Sequence, residues 1–526
     1  MVVAALLCVP VAARVRGVSI SSSPARGRIA AGTSHTCAIA SDDVVWCWGD
    51  NTYGQLGSSA HATLPSGQAN SPVQAAALPG GRVARQITAG DRHVCVLAND
   101  GTVWCWGDNG FGQSGDESLT VQANPLQVSL SSTATLVAAG GNNTCALLST
   151  GSLMCWGKNN RGQLGNGTQD SVAYATPTAV TSIPSMFAVE SIDVGALHVC
   201  AASSVGDTWC WGAFTNGRLG NTSSSDSLTP QRISTLPAGA AMSSAAGFNH
   251  SCVLVNTSAW CFGSNSFGQL GSDPNTYSES ATPLSVTFTA TPDLIAVGKD
   301  FTCAVLVDQT VECFGVNDNA QLGVSLGTTD RYTPQTVGGL TAGVVDVALG
   351  AAHACAVFTT GAVKCWGAGS QGQLGYGGAS RQTSAVSVGT LNVAPTTTTT
   401  STSSTSSSTS SSSTTSTSST SSTSSTSTTV VPSASPAPIT VVSKPKYLTV
   451  KRNRYITART IAKHVSLTIP KTSQGKMRFT IVRGSRYCTF AGTKVKGVRK
   501  GTCSVLVTLI PKRGKRTLRT AKVVVS

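Results

Sequence analysis

Cysteine is the reactive residue that this chain sets out in a pattern. Fourteen of its 17 cysteines fall in seven pairs: Cys37 with Cys47, Cys95 with Cys105, Cys145 with Cys155, Cys200 with Cys210, Cys252 with Cys261, Cys303 with Cys313, and Cys355 with Cys365. Two neighbouring thiols can hold a soft metal or be oxidised to a disulfide. Zinc calls for closely spaced ligands of the Cys-x₂₋₄-Cys kind, which a lone pair nine or ten residues apart lacks. A disulfide needs only two opposed residues. Between Cys145 and Cys155 the turn reads Ser149-Thr150-Gly151, with Gly151 placed to take a positive φ. A three-residue loop centred on Thr150 sets the two cysteines directly opposite, with Cα atoms about 4.5–5.5 Å apart, within bridging range. The pair Cys252 and Cys261 is one residue closer, and Asn256-Thr257 offers the two-residue turn that restores the opposition. A further pair, Cys488 with Cys503, is expected in the tail, which leaves Cys8 over.

Histidine is the next candidate. His35, His93, His198, His250 and His353 each stand two residues before the first cysteine of a pair, with Asn143 and Phe301 in the other two copies. Metal ligation or acid–base catalysis is conceivable for such residues. No carboxylate or second histidine travels with them, so a structural, hydrogen-bonding role is expected. No Ser-His-Asp grouping, recurrent paired carboxylates, phosphate-binding loop or metal spacing stands out, and the chain reads as a non-enzyme without cofactor or metal.

These residues need elements to hold them. The aromatic residue after each second cysteine falls at Trp48, Trp106, Trp156, Trp211, Phe262, Phe314 and Trp366, at intervals of 58, 50, 55, 51, 52 and 52 residues. Around it stand short alternating apolar runs separated by "NDG", "STG" or "TTG", which is the pattern of β-hairpins. About 50 residues with about four strands make one propeller blade. The ring of each aromatic points away from the cysteine beside it and is expected to fill the space between neighbouring blades. Copies two to seven are preceded by a strand of the "SPVQAAAL" type and copy one is not, so Thr383–Val393 is expected to complete the first blade and close the ring.

The expected fold is all-β: a seven-bladed β-propeller at 17–394, a Ser/Thr-rich stalk at 395–437, and a small basic β-sandwich at 438–526. The tract Thr396–Thr429 contains only Ser and Thr, so it has nothing to bury. Extended at about 3.3 Å per residue it would reach roughly 110 Å. The tail alternates apolar and basic residues as a sandwich does, with Cys488 and Cys503 as its staple. It holds 22 of the 37 Lys and Arg residues and no Asp or Glu, which leaves 15 basic against 22 acidic residues elsewhere. Such a field attracts polyanions of any sequence. Residues 1–16 hold a possible signal segment, since "MVVAALLCVPVAA" resembles its apolar part but lacks a basic residue in front; an N-terminal strand is the other reading. A lipid anchor on Cys8 is poorly supported, because Leu7 stands where a small residue is needed.

The phrase "GxxHxCA…G…CWGxNxxGQLG" across 28–394 resembles the repeat of the regulator of chromosome condensation family, whose members are seven-bladed propellers. The cysteine-paired form resembles its secreted bacterial members, and the tail resembles bacterial immunoglobulin-like modules with a "C…G…GTC" signature. The resemblance implies fold more than function. The family's founder is a nucleotide exchange factor for a small GTPase, and an exchange-factor-like regulator is the alternative reading. Paired cysteines instead favour an oxidising, extracellular or cell-surface location. The principal expectation is a binding scaffold that engages a protein or glycan with one propeller face and contacts anionic wall or membrane polymers with its tail, with no specific nucleic acid as partner. Within the otherwise fixed phrase, the fifth residue after each aromatic varies. This selects Tyr53, Phe111, Arg161 and Phe267 as candidate partner-binding residues, since such types often anchor interfaces.

Overall fold

The computed structural model describes residues 27–393, apart from 62–63, 65–66, 184–188, 204–205, 238–240, 325–326 and 341, together with the backbone of strands between 447 and 525. The possible signal segment and the Ser/Thr stalk lie outside the described residues. Local pattern dictates each blade. Alternating apolar residues make β1 (Ile29–Ala31), β2 (His35–Ile39), β3 (Val45–Asp50) and β4 (Gln68–Gln74), which pair antiparallel in chain order. Six further four-stranded sheets repeat this order, so the fold is the expected seven-bladed propeller.

The first strands line a central channel, where Ala31, Ala89, Ala139, Val194, Ala246, Val297 and Leu349 come together. The core lies between sheets rather than within one. Ile39 and Leu56 of blade one pack with Val94, Val96 and Trp106 of blade two. Ala38 and Trp48 pack with Val357, Val363 and Leu374 of blade seven.

Ring closure differs from the sequence expectation. The outer strand pairs with the Cys-Trp-Gly strand written before it, as Cys47 opposite Val73 and Cys105 opposite Leu126 show. Blade one therefore has its four strands already, and Gln382–Asn392 pairs within blade seven, Cys365 opposite Val386. A periodic sequence fixes the length of the repeat but not where one blade ends. Blades seven and one meet side by side instead. The amide of Gly27 donates to Asp346 Oδ2 at 2.8 Å, and that of Ser41 to the Asn392 carbonyl at 2.8 Å.

In the second unit, Tyr447–Val450 runs parallel to Thr517–Val525, which pairs antiparallel with Gly501–Pro511, itself paired with Gly475–Arg483. A three-stranded sheet joins Tyr455–Thr457, Lys494–Gly497 and Cys488–Ala491. Cys488 and Cys503 thus stand on strands of different sheets, and their side chains lie outside the described residues.

Candidate binding face

The seven cysteine pairs are disulfides across the second and third strands of each blade, with Cα–Cα distances of 4.0–4.2 Å. All fourteen residues are buried. Gly151 takes φ 87°, as the three-residue turn requires. In blade five Val255 faces Ser258, so the turn is Asn256-Thr257, with Asn256 at φ 56°.

The histidines act between blades. The Nε2 atoms of His93, His198, His250 and His353 lie 2.6–2.9 Å from the hydroxyls of Thr144, Ser251, Thr302 and Thr36, each in the next blade around the ring. Each of these hydroxyls donates its proton onward to a buried main-chain carbonyl, that of Gln113, Arg218, Gln269 or Gln373. The imidazole must then donate from Nε2, and its Nδ1, buried without an acceptor, is favoured unprotonated. Burial agrees, holding His93, His250 and His353 down to about 3 and His198 well below its ordinary value. His35 meets Val94, which has no hydroxyl; both of its ring nitrogens are buried without a partner, and burial lowers it to about 4.

The rest of the phrase is also spent on the ring. Asn51 Oδ1 accepts the Leu56 amide at 3.0 Å, and Asn109, Asn159, Asn265 and Asn317 repeat this. Gln55 Oε1 accepts the Tyr53 amide at 2.8 Å, repeated by five of the other six copies. The closing glycine of one copy lies against the aromatic of the next: a Cβ on Gly57 would stand 2.7 Å from Trp106 Nε1. The indole nitrogens of Trp48, Trp106, Trp156, Trp211 and Trp366 donate to the carbonyl of the preceding blade's Gln at 2.9–3.0 Å. Phe262 and Phe314 have no such donor, and their junctions are two of those where a hydroxyl reaches the same carbonyl. Every one of these buried carbonyls therefore receives a hydrogen bond from an indole, a hydroxyl or both.

What remains is one variable side chain per blade, on the loop between the third and fourth strands. Antiparallel order places this loop on the same face as the loop between the first and second strands. The four sequence candidates are not brought together; each stands on its own blade. Tyr53 lies under Arg92, with the guanidinium carbon 4.6 Å from the ring centroid, and Phe111 lies under Lys158 at 4.8 Å. Arg161 pairs with Asp226 at 3.2 Å. Phe267 is 41% exposed and has no such cover. Sequence reasoning missed its neighbours. Tyr332 touches Gly268, and the Tyr277 carbonyl accepts from Asn265 Nδ2 at 2.6 Å. Neither tyrosine lies in the repeated phrase, which is the signal that picked out the others.

The channel mouth opens on this face as a cavity of about 530 Å³ that includes Asp91, Arg92, Asp108, Asp193 and Lys299. Part of Asp193 faces the channel, yet the close walls desolvate its carboxyl and push it up to about 7, although the Ala246 and Val194 amides donate to it. Thr88 accepts the Ala139 amide in the same way at 2.9 Å, so the carboxyl ties adjacent first strands. Among the described residues no cluster of His, Cys, Asp or Glu could hold a metal ion.

Comparison with known proteins agrees with this geometry. A model of the RCC1-like domain matches residues 15–253, and one of the regulator of chromosome condensation (RCC1) repeat matches 344–373. The ultraviolet-B receptor UVR8 of Arabidopsis thaliana is 28% identical over 356 residues, 66% of this chain and 78% of that protein. The Mus musculus E3 ubiquitin-protein ligase HERC2 is 27% identical over 284 residues, 53% of this chain but only 6% of its own length. The structure of yeast RCC1 (Prp20) with Kap60 gives a TM-score of 0.59 at 19% identity, covering 69% of this chain and 85% of that one, a likeness of fold.

Proposed function

We propose, from the premise that the chain belongs to the RCC1-like repeat family and folds as its seven-bladed propeller, that it is an extracellular or cell-surface scaffold that binds a partner protein on the loop face. One observation carries this reading. The phrase spends its Asn, Gln, Gly and aromatic residues on the ring and leaves a single variable side chain per blade on that face. Yeast Prp20 has been crystallised with Kap60, and a second structure describes its binding to Gsp1p and histones. A protein partner is the corresponding proposal here. The buried disulfides support an oxidising location over the exchange-factor alternative, which calls for reduced thiols in the cytosol. The basic tail is proposed to contact anionic wall or membrane polymers.

Cross-linking of full-length protein in its native host tests this. Joint replacement of Tyr53, Phe111, Arg161 and Phe267 by Ala should abolish the cross-linked partner without lowering the melting temperature. Replacement of Asp42 and Asp308, on the opposite hairpins, should leave it intact. Equal loss from both variants, or fourteen free blade thiols, would contradict the proposal.

A further inference from the structure

The aromatic residues of the loop face follow a rule. Arg92, which covers Tyr53, comes from the loop between the first and second strands of the next blade. Lys158, which covers Phe111, comes from the end of the next blade's third strand. The positions matching these two beside Phe267 are Asp300 and Val316. The repeat thus sets a carboxylate and an apolar residue where blades two and three each set one cation over the preceding blade's ring, and the Phe267 ring stays uncovered.

The uncovered ring is not isolated. Phe267, Tyr277 and Tyr332 are 41%, 47% and 47% exposed, and no other Phe, Tyr or Trp among the described residues is as open. Tyr332 of blade six meets the Phe267 loop at the junction of blades five and six, and Tyr277 stands on the same loop of blade five as Phe267. Carboxylates flank the two tyrosines along the chain. The Asp273 carbonyl accepts the Tyr277 amide at 3.1 Å, Glu279 follows two residues later, and Asp330 precedes Tyr332 by two. Their hydrogen bonds come from amide groups: Asn275 for Asp273, Asn216 for Glu279, Asn317 for Asp330. Among the described residues none of the three forms an ion pair, whereas Asp226 on the same face is held by Arg161. The basic residues beside these carboxylates are engaged elsewhere: the Arg331 guanidinium bonds the Asp330 carbonyl, and Lys299, next to Asp300, lies over the Phe248 ring at 5.4 Å.

We infer that this junction is where the partner docks, and that the partner is a protein segment presenting lysine or arginine side chains to the open rings and carboxylates. Charge complementarity decides the occupant. A cation over an aromatic face is attracted by the negative face of the ring, more strongly when partly desolvated, and here a partner's cation takes the place that Arg92 takes over Tyr53. The inference rests on the loop face being the binding surface.

The test titrates full-length protein with a lysine–glycine peptide, its glutamate counterpart and a neutral oligosaccharide. The lysine peptide should bind, and F267A/Y332A and D330N should each weaken it, the first by about ten-fold or more. Asp42→Asn, on a hairpin of the opposite face, should not. D300R, which supplies the missing internal cation, should close the site while leaving the melting temperature in place. Unchanged peptide affinity in the variants would overturn the inference. So would aromatic-dependent binding of the oligosaccharide instead. If the Phe267 variants bind like wild type while the four-residue loop-face variant still loses its partner, the site assignment fails and the broader reading stands.

Discussion

The junction of blades seven and one and the junction of blades one and two are written with the same phrase and closed differently. At the first, the Gln373 carbonyl receives both the Trp48 indole at 2.9 Å and the Thr36 hydroxyl at 3.1 Å, and His353 donates to that hydroxyl. At the second, the Gln55 carbonyl receives only the Trp106 indole among the donors described, because Val94 stands where Thr36 does. The aromatic contact and one hydrogen bond to the carbonyl recur at every junction; the second bond is optional. The other copies adapt accordingly. Where Ala354 offers no hydroxyl, the histidine position is Phe301; where Val199 offers none, it is Asn143, which turns back to its own blade's Lys158 carbonyl at 2.5 Å. His35 alone keeps an imidazole with nothing to bind.

The largest test of this contrast is acid. The five histidines have folded values between about 3 and 4 or lower, against about 6.5 unfolded. Below pH 6.5 the unfolded chain binds more protons than the folded one, so stability falls with pH, each histidine contributing about 1.4 kcal/mol per pH unit. Asp193 works the other way, since its raised value favours the folded state as pH falls from about 7 to about 4. Burial raises Asp91, Glu190 and Asp300 in the same sense, and five histidines still outweigh these four carboxyls. The melting temperature should therefore drop steeply between pH 6.5 and 4, and a flat profile would mean that the histidines are not buried and neutral.

A smaller effect separates the two junctions directly. Trp106→Phe removes the indole bond to the Gln55 carbonyl and should cost about 2–3 kcal/mol, the penalty of a buried group left unpaired together with lost packing. Trp48→Phe leaves Gln373 its hydroxyl and should cost about 1 kcal/mol. Urea unfolding of the two variants measures the difference, and equal costs would break the rule.

Much of this was legible in the sequence. The period and the hairpin turns gave the blades, the cysteine spacing gave the disulfides, and the Trp position gave the inter-blade packing. Three things were not legible, each for a physical reason. The outer strand belongs to the copy written before it, which periodicity cannot tell because it carries no phase, so the closure expected of Thr383–Val393 is instead the fourth strand of blade seven. The histidine's hydroxyl partner was invisible within a copy because it belongs to the next one. Tyr277 and Tyr332 are not legible because both stand outside the repeated phrase, and Tyr332 reaches the Phe267 loop only through the packing of blades five and six.

One measurement bears most directly on the claim that the phrase exists to satisfy the carbonyl at each junction: the unfolding free energy of Val94→Thr in the wild-type and Trp106→Phe backgrounds. The new hydroxyl can accept from His35 and donate to the Gln55 carbonyl, as Thr36 does between His353 and Gln373. It should stabilise wild type by about 1 kcal/mol and recover about 2 kcal/mol in the Trp106→Phe chain. The same small change in both backgrounds, or a loss in both, would contradict the account.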